Sequence, residues 1–137
     1  MTPRPARVSA AVLGSPRPRA LAAFYERLLG WSRVADEPAR PGAPPEDGWV
    51  MLRPLQRGTG LSFQFEPEYV APAWPAERGH QQMTMHLDIA VDDVDEAVAR
   101  ALEAGAKLAD HQPQAHVRVM LDPDGHPFCL FPDPGET

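Results

Sequence analysis

Between Met85 and Ala106 the spacing of apolar residues changes period once. Leu87, Ile89 and Val91 alternate with His86, Asp88 and Ala90, which places the two sets on opposite faces of a strand. From Val94 onward the apolar residues are Val94, Ala97, Val98, Ala101 and Leu102, a helical spacing, with Asp92 or Asp93 positioned to supply the N-cap oxygen. Gly105 tolerates the left-handed conformation that ends a helix. A strand feeding a helix whose apolar stripe packs back on a sheet is half of a layered unit.

The opening of the chain has the same order. Residues 6–13 suit a strand, 14–18 (GSPRP) a turn with a proline at the head of a helix, and Ala20, Leu21, Phe24, Leu28 and Leu29 the apolar stripe that Gly30 closes. Residues 31–35, 49–53 and 60–66 read as strands, and the proline-rich 36–48 as a surface loop. Residues 67–82 have neither period and read as a connector. Later strands are expected at 107–109, 116–121 and 127–131, the last two joined by the turn Asp122-Pro123-Asp124-Gly125. Laying the halves together sets Ala10 on His86 and 60–65 on 125–130. The prediction is an α+β fold of strand, helix and three strands, repeated. Module one covers about 6–66, the linker about 67–82 and module two about 83–131, within a single domain over 1–137.

Composition narrows the partners. The net charge is −6, with the basic residues scattered, so the chain offers no footprint for a phosphate backbone and nucleic acid is not an expected partner. No apolar run approaches the roughly 20 residues of a membrane span, and the arginines before the short apolar run at the start are read as mature sequence. Cys129 is the single cysteine, which excludes an internal disulfide, and a soluble cytoplasmic protein is expected.

The order of elements, together with Phe24, Tyr25, Leu28, Leu29 and Gly30 in the first helix, the 85–93 opening of the second half and the Asp122–Gly125 turn, resembles the vicinal oxygen chelate superfamily of glyoxalases, extradiol dioxygenases and bleomycin-resistance proteins. It is most similar to the small glyoxalase-like group. The resemblance implies paired βαβββ modules with curved mixed sheets around a central cavity. It also implies a divalent metal held by up to four inward histidine or glutamate side chains, one from the first and one from the last strand of each module.

Carried over residue by residue, those positions are Ala10, Gln64, His86 and Cys129. Alanine has no donor atom and an amide is a weak one, so no divalent metal and no other cofactor is expected; Asp88 is the one further donor on the His86 face. The ligand-binding candidates are Gln64, His86, Asp88, Cys129, Ser62 and Trp74, with His86 as the catalytic candidate. Each has a plainer reading. A lone histidine facing a cavity is more often a hydrogen-bonding group than a base. Cys129, between Phe128 and Leu130, suits a small buried hydrophobe. Trp74 suits either a ligand wall or core, Trp49 suits core, and His111 and His116 suit solvated positions. The alternating carboxylates of the Asp122–Gly125 turn lack the other ligands of a calcium loop.

The expected function is therefore binding of a small organic molecule, as a homodimer, with a reaction that does not depend on metal. The alternatives are a metal-dependent lyase, isomerase or dioxygenase, and an antibiotic-sequestering resistance protein.

Overall fold

The computed structural model describes residues 2–135. Its elements run β1 (Ala10–Ser15), α1 (Pro18–Leu29), β2 (Ser32–Glu37), β3 (Trp49–Arg53), β4 (Gly60–Phe65), then β5 (Leu87–Val91), α2 (Val94–Ala104), β6 (Lys107–Leu108), β7 (Arg118–Leu121) and β8 (Pro127–Pro132). This is α+β, strand, helix and three strands, twice. The chain divides into two compact units, one ending at Tyr69 and the other beginning at Val70.

Each unit is one mixed four-stranded sheet with its first strand parallel to its last: β1-β4-β3-β2 in the first and β5-β8-β7-β6 in the second. In the first unit the buried side chains of α1 are Pro18, Leu21, Ala22, Phe24 and Tyr25, and β3 and β4 add Val50, Leu52, Leu61 and Phe63. Tyr25 stacks on Phe63 with ring centroids 5.5 Å apart, and Phe24 meets Tyr25 edge-on at 4.8 Å. The expected stripe therefore runs one position off along the helix. Ala20 is exposed and Leu28 and Leu29 are half-buried, while Ala22 and Tyr25 are core.

In the second unit Phe128, Leu130 and Met120 are fully buried on the face that also carries Ile89, and α2 adds only the alanines Ala97 and Ala101. Asp93 is the N-cap, its carboxylate accepting from the Glu96 N–H at 3.0 Å. Gly30 ends α1 at φ 68° in the left-handed region; Gly105 ends α2 at φ 122°, positive but outside it.

Four boundaries differ from expectation. β1 lies at 10–15 rather than 6–13, because its ladder exists only alongside β4, from Ala10↔Gly60 to Ser15↔Phe65. Gly14 and Ser15, read as turn, are in the strand; the Ser15 hydroxyl then accepts from the Arg17 N–H at 2.9 Å and the helix starts at once. β2 is displaced toward Glu37, with a bulge between Arg33 and Ala35. β6 and β7 are shorter than expected: beyond Leu108 the Ala109 N–H still donates to the Val119 carbonyl at 3.0 Å, but the Val119 N–H donates to the Gln112 side-chain oxygen at 2.8 Å instead of to a strand.

The proline-rich loop after β2 is not merely solvated. Asp47 is 3 % exposed, and its carboxylate accepts from the Arg40 backbone N–H at 2.9 Å and from the Arg40 guanidinium at 2.9 and 3.0 Å. Arg19 of α1 holds the loop base through Asp36 Oδ1 at 3.0 Å and the Asp47 carbonyl at 3.1 Å, and Arg33 joins Glu26 to Asp36. The hydrogen bonds from Arg40 hold the Asp47 carboxyl at about 2, below its usual range. A depressed folded-state value means that this stabilisation is present above the unfolded carboxyl value of about 4 and is lost as pH falls from there toward 2. Thermal unfolding followed between pH 5 and 2 should show the wild type losing melting temperature more steeply than Asp47→Asn. Parallel slopes would rule out the clamp.

Candidate functional site

The candidate site is built on one end of the β5–β8 pair. β5 and β8 run parallel with Asp88 opposite Cys129, so both side chains leave the sheet on the face away from Phe128 and Leu130. His86 immediately precedes β5 and reaches the same face, where its Nε2 lies 2.9 Å from Asp88 Oδ1. One donor atom from each of His86, Asp88 and Cys129 lies within 4.8 Å of the others. Asp88 is the hub, and its side chain is 62 % exposed against 36 % for His86. Val119, paired with Cys129 from β7, is a buried apolar neighbour on that face.

The cluster has defined acid–base character. Burial first, then the charge of Asp88 and a hydrogen bond to it, push the Cys129 thiol up. Cys129 is therefore a neutral thiol at neutral pH, a weak donor and no nucleophile. The histidine tautomer that donates from Nε2 to Asp88 leaves Nδ1 as an acceptor. The face thus offers an anionic acceptor, a neutral acceptor and a weak donor, which suits hydrogen bonding to a polar small molecule.

Gln64 and Ser62 lie on β4, two apart and so on one face of the first unit's sheet; Gln64 is exposed and Ser62 is 2 % exposed. Trp74 is half-buried in the second unit, its indole N–H donating to the His111 carbonyl at 3.1 Å and its ring 5.8 Å from the His111 ring. His111 is exposed, as expected of a solvated group, and its ring borders Trp74. Trp49 is half-buried, and His116 is exposed. Asp122 is a turn residue, accepting from the Asp124 and His126 N–H groups and paired with His126 Nδ1 at 2.8 Å.

Strand register also corrects the alignment of the halves. Gly14 pairs with Gln64 as Asp88 pairs with Cys129, so Gly14 matches Asp88 and Val12, not Ala10, matches His86. None of Ala10, Val12 or Gly14 carries a side-chain donor. In the second unit His86, Asp88 and Cys129 bring three donor atoms together. With no donor from the first strand of module one, the residues do not supply the four-ligand set that the resemblance implies.

The glyoxalase-like domain family matches residues 10–131, and the chain belongs to this family, within the vicinal oxygen chelate superfamily. Solved structures agree in fold. A glyoxalase/bleomycin resistance protein/dioxygenase family enzyme from Burkholderia phytofirmans PsJN is 18% identical, with TM-score 0.64 over 91% of this chain and 97% of its own. A genomically encoded fosfomycin resistance protein from Listeria monocytogenes, solved with manganese and a dihydroxypropylphosphonic acid, is 13% identical, with TM-score 0.67 over 93% of both chains. The trypanothione-dependent glyoxalase I of Leishmania major is 18% identical, with TM-score 0.61 over 94% of this chain and 88% of its own. No curated protein matches. Among the described residues no helix is long and apolar enough to cross a membrane.

Proposed function

We propose that this chain is a cytoplasmic, homodimeric binding protein for a small organic molecule, and that its ligand is held by hydrogen bonds rather than by a resident metal. The observation that carries this reading is the exposed cluster of His86, Asp88 and Cys129, whose polar atoms point off one sheet face with their mutual hydrogen bonding only partly consuming them. Family membership supports the small-molecule class. Gln64 and Ser62 remain the ligand-binding candidates on the first unit's own sheet. Trp74 is the apolar wall candidate, its indole held in place by the His111 carbonyl.

The test starts with protein purified without chelator, assayed for metal and screened against a small-molecule library by thermal shift. Metal well below one ion per chain is expected, with a melting temperature unmoved by EDTA. For whichever compound gives the largest shift, His86→Ala should weaken binding by about 1–3 kcal/mol, because a ligand polar group loses its partner. Its melting temperature should stay close to wild type, since His86 is exposed. Near-equimolar zinc, nickel, iron or manganese that disappears in His86→Ala would defeat this reading. The proximity of three donors would then favour a metal-dependent lyase, isomerase or dioxygenase.

A further inference from the structure

A concave site lies in the first unit. Arg7, Val8 and Ser9, which precede β1, and Arg53, Gly58 and Thr59, at the β3–β4 connection, enclose about 260 Å³. The groove is braced by its own walls: the Arg53 guanidinium donates to Ser9 Oγ at 2.8 Å, the Gly60 N–H to the Ser9 carbonyl at 2.9 Å, and the Thr59 hydroxyl to the Val8 carbonyl at 3.4 Å. Arg53 is thereby set across the floor by a neutral partner and keeps its charge uncompensated. Arg7 has no hydrogen-bond or ion-pair partner among the described residues.

The electrostatics are one-sided. The chain as a whole carries a net charge of −6, yet neither of the stretches that build this groove, residues 1–25 and 48–65, contains an aspartate or glutamate. Arg4 and Arg57 add charge from the same two stretches. Guanidinium groups match oxyanions through paired N–H donors, and Val8, 72 % exposed, gives the rim a short apolar surface.

We propose that this groove binds a small dianionic oxyanion, a phosphate group either free or at the end of a short organic molecule, with Arg7 and Arg53 as its charge partners. The probe is inorganic phosphate, titrated into the full chain at low ionic strength and followed by amide resonances. Saturable shifts centred on Ser9, Gly58 and Thr59 are expected, weakened about tenfold or more in Arg7→Gln and unchanged in Arg100→Gln on α2. Arg7→Gln removes no hydrogen bond or ion pair among the described residues, so its melting temperature should match wild type and its loss of binding reports the groove. A methyl phosphate binding at least as tightly as the free ion would assign the groove to organic phosphates. Weaker binding would assign it to the free ion. Linear, unsaturable shifts, shifts spread over all surface arginines, acetate competing as well as phosphate, or wild-type affinity in Arg7→Gln would each overturn the proposal. Shifts at the same amides that depend on protein concentration without phosphate would give the groove to an acidic stretch of a second copy, and would overturn it too.

Discussion

Replacing Phe63 or Phe128 with alanine is expected to cost about 3–5 kcal/mol each. The two phenylalanines hold the matching place in the last strand of each unit, and both are fully buried. Their surroundings differ. Phe63 stacks on Tyr25, a large ring that can shift into the space vacated. Phe128 faces Met120 across the β7–β8 ladder, a fully buried and flexible side chain that can also shift into the space vacated. Both variants should therefore fall within that range. Equilibrium unfolding in urea would measure both, and a loss under about 1 kcal/mol for either would contradict the packing described here.

Gly48→Ala is expected to lose about 2–6 kcal/mol, from backbone strain of about 1–3 kcal/mol and overpacking of similar size. Gly48 sits at φ 121°, where L side chains are strained, and an added Cβ would stand 2.3 Å from the Glu37 carbonyl oxygen and 2.6 Å from an Arg19 guanidinium nitrogen. The arginine can move; the carbonyl belongs to β2 and cannot move without disturbing its pairing with β3. Gly30→Ala offers the contrast, because nothing lies within 4 Å of its Cβ and only the left-handed φ opposes it, worth on the order of 1 kcal/mol. Equal destabilisation of the two variants would show that steric contact at Gly48 contributes nothing.

Much of the fold was legible in local pattern. The β3 strand at Trp49–Arg53, the Asp93 cap, the positive-φ glycines after both helices and the Asp122–Gly125 turn all follow from period-2 or period-3.6 spacing and from residues whose backbone or side-chain chemistry suits one place in an element. The repeat itself was legible because strand and helix periods recur in the same order. These signals act over a few residues, and the sequence by itself determines them.

Tertiary structure decided what depends on partners distant in sequence. The extent of β1 follows from where β4 begins, and the match of Val12 to His86 follows from inter-strand register, neither of which has a local signature. Asp47, one acid among many in a polar loop, is distinguished by the three nitrogen–oxygen contacts from Arg40 that fold the loop over it. At the candidate site, alternation placed His86 and Asp88 on one face. Only the parallel pairing of β5 with β8 brought Cys129 beside them, with the thiol held protonated by burial and by the Asp88 charge. The arginine groove was hidden for the same reason, since its two acid-free stretches lie far apart along the chain and meet only when β1 pairs with β4.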